Sequence, residues 1–444
     1  MRNSSEKRME TEKRRPLGVY VHIPFCVKKC DYCDFLSFPS DETTRERYVE
    51  ALCTEIRANR ENGAEYEVCT VYFGGGTPSV LTTEQLGRIL QTIRDTFSVK
   101  GLEAPAKAEP KKKGFSLFGR KKEEPEPPKY EETPGERLTK VLAGELAEIT
   151  IEVNPGTVTA EDFKGLYELG FNRISMGLQS ADEKELSNLG RIHTAKEFED
   201  AFLAARAAGF LNISGDLMSG LPGQTADTLT KSIRFLTGLS PEHISVYSLQ
   251  LEENTKFMER YGENGPEHAA LLSEEEDRAL YELTGKLLEE AGYERYEISN
   301  YAKKGFESRH NSSYWTGTEY LGCGLGASSL MSNARFHNTG DMEAYLTNAA
   351  DPGLIREDID RLVEKERMEE FMFLGLRLCR GIRKEEFRQR FGREIETVYG
   401  AVLKKLTAQK LIAECDGRIF LTNRGIDVSN VVLAEFLLDE FVRR

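Results

Sequence analysis

An apolar run from Val19 to Phe25 leads directly into Cys26, Cys30 and Cys33, spaced C-x3-C-x2-C. Thiolates this close in one short loop can wrap a single corner of an iron–sulfur cluster, which cysteine thiolates hold. A structural zinc site would need a fourth protein ligand, ordinarily from a second knuckle. The remaining cysteines, Cys53, Cys69, Cys323, Cys379 and Cys415, are scattered singly and form none. Three ligands on a four-iron cubane leave one iron open. The loop is read as a cluster site, with zinc or unligated core cysteines as the alternatives.

The same spacing behind a first strand, with the aromatic Tyr32 before the last cysteine, resembles the signature of the radical S-adenosylmethionine superfamily. The resemblance implies a [4Fe–4S] cluster on Cys26, Cys30 and Cys33 whose open iron is chelated by S-adenosylmethionine. Reduction of such a cluster cleaves the sulfonium to a 5′-deoxyadenosyl radical, so the cofactor carries the chemistry and the chain orients it. No side chain is assigned as catalytic.

Downstream, strand and helix patterns alternate. Tyr48, Leu52 and Ile56 recur at helical spacing, and Cys69 to Phe73 reads as a buried strand. That strand ends in Gly74-Gly-Gly-Thr-Pro78, and Thr82-x-x-Gln85 forms a capping box for the next helix. Glycines at a strand's end let backbone N–H groups approach a ligand, although a structural turn would use them as well. Residues 101–137 turn to Lys, Glu, Pro and Gly and are expected to be a disordered surface insertion. Order resumes at Glu148, and Glu152 falls near the C-terminal end of its strand, where such folds keep their chemistry. A solvent-facing strand residue is the alternative for Glu152. Further strands follow at Arg173 to Gln179, Leu211 to Asp216 and His243 to Gln250. Six strand-then-helix units imply parallel pairing through right-handed crossovers. The fold class is therefore α/β: a partial TIM-like (β/α)6 barrel over residues 17–300, behind a flexible N-terminus at 1–16, with a helix capped by Ser273 closing it.

The resemblance also assigns individual residues. Gly75, Gly76 and Thr77 would meet the amino group of the cofactor's methionyl part, and Glu152 its amino-acid end. Similarity to oxygen-independent coproporphyrinogen oxidases implies that Gln179 and Arg191 reach the cofactor and that Asp216 binds a ribose hydroxyl. Tyr20 and Tyr32 complete the cofactor-binding set. His193 is read as a structural or substrate-edge residue.

Residues 301–360 are expected to form a connecting region, rich in aromatics, His and Gly. It carries His310-Asn-Ser-Ser-Tyr314-Trp315, with the only tryptophan of the chain. An imidazole can ligate haem iron and flat rings can lie along a porphyrin, but a packed aromatic cluster has the same composition. H-N-x-x-Y-W behind such a barrel resembles the HemW family of haem chaperones, in which the motif's His is associated with haem. The resemblance thus implies haem at His310, apo-haemoproteins as recipients, and either a monomer or a dimer. The related oxidases carry a further cysteine two positions after the triad. Here that position is Phe35, which argues against the alternative function, decarboxylation of coproporphyrinogen III to protoporphyrinogen IX.

Residues 361–444 read as helices followed by a hairpin around Asp416-Gly417, a winged-helix-like module resembling the C-terminal domain of the same family. Glu385, Glu386, Glu394 and Glu396 stand among its basic residues, whereas a nucleic-acid reader needs a basic face. With 60 basic and 74 acidic residues the net charge is −14, so no nucleic-acid partner is expected. No apolar run approaches the roughly 18 residues of a membrane span. The N-terminal stretch has no signal-peptide pattern, and the unpaired cysteines suit a reducing compartment, so a cytoplasmic protein is expected.

Overall fold

The computed structural model describes residues 14–102 and 132–438. Residues 1–13 of the expected flexible terminus and 103–131 of the expected insertion lie outside the described residues. Two boundaries move. Arg15 and Pro16 already belong to the first strand, and residues 134–137 open a helix whose capping box is built by Thr133 and Glu136.

The first part of the chain runs β1 (Arg15–Ile23), α1 (Glu42–Ala58), β2 (Tyr66–Gly75), α2 (Thr83–Thr96), α3 (Pro134–Leu142), β3 (Glu148–Val153), α4 (Ala160–Leu169), β4 (Arg173–Gln179), α5 (Glu183–Asn188), α6 (Ala195–Ala207), β5 (Ile213–Ser219), α7 (Ala226–Gly238) and β6 (His243–Ser248). β1 to β6 pair side by side and parallel, in chain order. One face of each strand is apolar: Val71 and Phe73, Ile149 and Ile151, Ile174 and Met176, Ile213 and Leu217, and Ile244 and Val246 share a core with Phe163, Leu166, Phe198, Phe202, Ile233 and Leu236 of the helices. Side chains alternate along a strand, so the intervening residues face the other way, into the concave side of the sheet. The expected (β/α)6 arrangement is present, and the capping boxes read at Thr82 and Ser273 both form.

Then come α8 (Lys256–Tyr261), α9 (Glu274–Glu290), β7 (Glu294–Arg295), β8 (Asn300–Ala302), α10 (Arg309–Trp315), β9 (Tyr320–Cys323), β10 (Ser328–Met331), β11 (Ala334–Asn338), α11 (Met342–Asn348), α12 (Pro352–Ile355) and β12 (Arg356–Arg361). β8 pairs antiparallel with β6, whereas β9 lies parallel on the free edge of β1 and β10 to β12 extend the sheet from there. Residues 301–360 are thus more than a connection: they carry strands of the same twelve-stranded sheet.

The C-terminal unit has α13 (Glu364–Gly375), β13 (Ile382–Arg383), α14 (Lys384–Phe391), α15 (Ile395–Ala408), β14 (Ile412–Cys415) and β15 (Arg418–Leu421), followed by short helices. Its sheet order is β13-β15-β14, and it has its own core around Met372, Phe387, Tyr399 and Phe436. α14 is preceded by β13, which supplies the third strand of the wing. Asp416 and Gly417 both have positive φ, 50° and 70°, as the two-residue hairpin requires. Among the described residues no helix is long and apolar enough to cross a membrane.

The added strands are tied to the barrel by Glu55 of α1, which is 1% exposed. Its carboxylate accepts from Gly324 N at 2.8 Å, Asn338 Nδ2 at 2.7 Å and Tyr345 Oη at 2.5 Å. Burial raises the Glu55 carboxyl from 4.5 to about 7, against the opposing pull of those three donors. A carboxyl raised on folding contributes fully below its unfolded value and loses that contribution as pH rises through the folded one. Glu55→Ala is expected to destabilise the protein by about 3 kcal/mol, because three buried donors lose their acceptor. Urea unfolding should show the larger loss near pH 5 and a smaller one near pH 8; equal losses would refute the linkage.

Candidate functional site

The concave face is polar. Going round it, Tyr20 and His22 on β1, Thr70 and Tyr72 on β2, Thr150 and Glu152 on β3, Arg173 and Ser175 on β4, Ser214 and Asp216 on β5, and His243, Ser245 and Tyr247 on β6 alternate with the core residues. Cross-strand hydrogen bonds join them: Tyr72 Oη donates to Glu152 Oε1 at 2.7 Å, Ser175 Oγ to Asp216 Oδ2 at 3.2 Å, and Ser214 Oγ meets His243 Nδ1 at 2.7 Å.

The cysteine loop crosses the C-terminal end of this face, between β1 and α1. All three thiols are free, with Cys26 buried and Cys30 and Cys33 half-buried. Among the described residues no three His, Cys, Asp or Glu side chains converge on a single-ion site. The donor chemistry nevertheless suits a cluster. Cys33 is raised by burial first, with Cys30 and Cys26 adding like-charge repulsion, so the three thiols feel one another. A guanidinium, that of Arg191, donates from Nη1 to Cys30 Sγ at 3.6 Å.

A chain of hydrogen bonds joins two of the cysteines. Thr77 Oγ1 donates to Cys26 Sγ at 3.5 Å and accepts from Asn154 Nδ2 at 2.7 Å; Asn154 Oδ1 accepts from Arg191 Nη2 at 2.8 Å, and Arg191 reaches Cys30. Arg191 Nη2 also donates to Gly177 O at 3.0 Å and to His193 Nδ1 at 3.2 Å, while His193 Nε2 donates to Leu178 O. His193 is thus a 4%-exposed brace for Arg191. Tyr32, raised chiefly by burial, lies against the same guanidinium. Gly76 must be glycine: a Cβ there would stand 2.6 Å from Phe25 O and 3.0 Å from Cys26 Sγ. A Cβ on Gly75, whose φ is +111°, would lie 2.6 Å from the His22 ring. Asn154 is the hub, and it was not among the residues singled out from the sequence. Its signal was available, since it is two residues beyond Glu152 and so faces the same way.

Glu152 and Asp216 lie deep in the barrel yet keep solvent-accessible surface. Burial raises Glu152 to about 7 despite the Tyr72 hydroxyl, and neighbouring Asp216 adds to the rise. Asp216 is raised too, by burial first, against the hydroxyls of Ser245, Ser175 and Ser214. Tyr247 is 43% exposed on the cavity side. Gln179 sits at φ +68°, where the β4–β5 register shifts. A non-glycine residue in this region stores strain of a kind that clusters at functional sites. Tyr20 Oη donates to His22 Nδ1 at 3.0 Å, which fixes it on the rim of the same cavity.

His310 is placed differently from an exposed iron ligand. It is 1% exposed, with Nδ1 on Thr70 Oγ1 at 2.9 Å and Nε2 on Tyr314 Oη at 2.8 Å. Its ring stacks on Tyr72 at 5.0 Å, and burial, with Arg173 nearby, lowers it to about 3. The Glu148 carboxylate accepts from Arg309 N and His310 N, seating α10 against the start of β3. The helix therefore plugs the N-terminal end of the barrel, and neither imidazole nitrogen is free in this conformation.

Comparison with known proteins follows this geometry. Residues 20–236 match the radical SAM superfamily, and residues 362–428 match the HemN C-terminal domain. The heme chaperone HemW of Bacillus subtilis is 34% identical over 420 residues, 95% of this chain and 99% of the relative. That of Escherichia coli is 32% identical over 438 residues, 96% of this chain and 100% of the relative. Among solved structures, the coproporphyrinogen III oxidase HemN from Escherichia coli superposes with a TM-score of 0.75 at 20% identity, over 96% of this chain and 90% of that one. At that identity the likeness is one of fold.

Asn154→Ala removes the bridge between Thr77 and Arg191. Hydrogen–deuterium exchange should show the amides of residues 26–36 opening about tenfold more readily, the worth of roughly one hydrogen bond. Unchanged exchange would mean that the loop is held by other contacts.

Proposed function

We propose that this chain, which belongs to the HemW family within the radical SAM superfamily, binds haem and delivers it to apo-haemoproteins in the cytoplasm, with a [4Fe–4S] cluster and S-adenosylmethionine as resident cofactors. The observation that carries the reading is its near end-to-end similarity to curated heme chaperones. Phe35 supports it, because the decarboxylating relatives the sequence resembles have a cysteine at that position. Formation of protoporphyrinogen from coproporphyrinogen III under anaerobic reducing conditions would instead favour the oxidase.

Cys26, Cys30 and Cys33 would hold the cluster, which with S-adenosylmethionine on its open iron supplies one-electron reductive chemistry. The chain's own residues orient that cofactor. The tight turn at Gly75 to Thr77, whose Gly76 and Thr77 N–H groups donate to Ile23 O at 2.9 Å and Phe25 O at 2.7 Å, would bring the backbone up to its amino-acid end beside the Glu152 carboxylate. Asp216 has two oxygens for ribose hydroxyls. Arg191, Gln179, Tyr20 and Tyr32 wall the remaining sides.

A carboxyl near 7 is neutral below that value and anionic above it, so its attraction for an ammonium group appears as pH rises. S-adenosylmethionine affinity, followed by equilibrium dialysis, should rise about tenfold from about pH 6 to about pH 8. Glu152→Gln should flatten that rise, and a flat wild-type profile would remove Glu152 from the site.

For haem, we assign His310 as the iron ligand. Ligation takes Nε2 away from Tyr314 Oη, so the bound state requires Tyr314 to withdraw. Anaerobic haem titration of the cluster-loaded protein should give stoichiometric binding, with the spectrum altered or lost in His310→Ala. Tyr314→Phe, which frees Nε2, should bind more tightly. Unaltered haem spectra in both variants would assign His310 to packing alone.

A further inference from the structure

Arg173 opens β4 and heads the fully buried side chains by volume, at 1% exposure. Its Nε has no hydrogen-bond partner, although burying a guanidinium without compensation is costly. Strand register sets it beside Thr150, one inward step below the level at which Glu152 faces Ser175. Ser175 in turn is level with Ser214 and hydrogen-bonds Asp216. The charge of Arg173 is felt by Tyr72 on β2, Glu152 on β3, Asp216 on β5, His243 on β6, Tyr296 after β7 and His310 on α10. Arg173 stands two residues before inward-facing Ser175, so its side chain, 1% exposed, lies inside the barrel.

We propose that Arg173 is a positioning residue for the cofactor: from beneath Glu152 and Asp216 it favours the carboxylate form of both, ready for an ammonium group and for ribose hydroxyls. The inference rests on the cofactor assignment made above for those two residues. The Tyr72 hydroxyl and the Gly75 N–H also favour the Glu152 carboxylate, more strongly than Arg173 does, but among the groups facing it Arg173 is the cation. Tyr72 donates a neutral hydrogen bond, Asp216 is a like charge, and Tyr20, Tyr247 and Tyr314 are neutral phenols. Around Asp216, Ser175, Ser214 and Ser245 offer hydroxyls only, and Tyr247 a phenol. Burial and mutual repulsion drive both carboxyls toward the neutral form, and Arg173 is the opposing cation.

The test is an infrared pH titration of the full chain, following the protonated-carboxyl band that disappears in Glu152→Gln. In Arg173→Gln its midpoint should move up by about 1 pH unit, and Arg173→Lys should restore it. Arg173→Met, similar in length and uncharged, replaces the glutamine variant if that does not fold. S-adenosylmethionine affinity near neutral pH should fall about fivefold with the neutral variants and recover with lysine. A folded neutral variant with an unmoved midpoint overturns the proposal. A shifted midpoint in a protein that binds no S-adenosylmethionine upholds the Arg173–Glu152 linkage and overturns the cofactor assignment instead.

Discussion

Polar side chains on the concave face of a parallel sheet must find partners within the molecule, because burial withholds water from them. That constraint organises most of the inside of this barrel. Tyr72 answers Glu152, the serines of β4 and β5 answer Asp216, and His243 is held between Ser214 and Tyr296 Oη. The same need explains α10. A short helix whose first N–H groups meet the Glu148 carboxylate can stop one end of the barrel without leaving those donors unpaired. What is left open is the opposite end, where strand termini, the glycine turn and the cysteine loop meet.

α10 also joins the two units. His310 points into the barrel, while Trp315 lies under the guanidinium of Arg377, 4.4 Å from the ring centroid, at the end of the first C-terminal helix. Cys379 N donates to Tyr296 O at 2.9 Å, and Tyr296 is the residue whose hydroxyl meets His243. The C-terminal unit therefore touches the floor of the barrel through a main-chain hydrogen bond and an aromatic contact. A cargo site that opens by shifting α10 would draw on those contacts.

Much of this was legible in the chain. The cysteine spacing is local, so its grouping needed no tertiary information, and the strand-helix alternation gave the order of the parallel core. Glu152 was singled out because it falls near the end of a recognisable strand, and Asp216 through the family resemblance, although β5 runs on past it to Ser219. Asn154 stands just past the end of β3 and before a proline, where an asparagine reads first as a turn residue. The environment of His310 was beyond reach, since Thr70 and Tyr72 lie about 240 residues earlier in the chain and Tyr20 nearly 300. The strands in residues 301–360 were missed for a similar reason. β9 has only four residues and pairs with β1, and the β10–β11 turn rests on Ser332 and Asn333, both at positive φ, in place of glycine.

The position of β1 has a consequence for biosynthesis. Its apolar residues Leu17, Val19, Val21 and Ile23 are all 0% exposed, and one of its edges is covered by β9, which begins at Tyr320. At ordinary elongation rates the ribosome takes roughly 15–60 s to pass from the first strand to its late neighbour. Throughout that interval a strand leading into three free thiols has an unpaired edge, the kind of surface that templates aggregation. Early pairing with β2 and prompt occupation of the cysteine loop would shelter it, so the order in which partners arrive at the nascent chain matters as much as their final contacts.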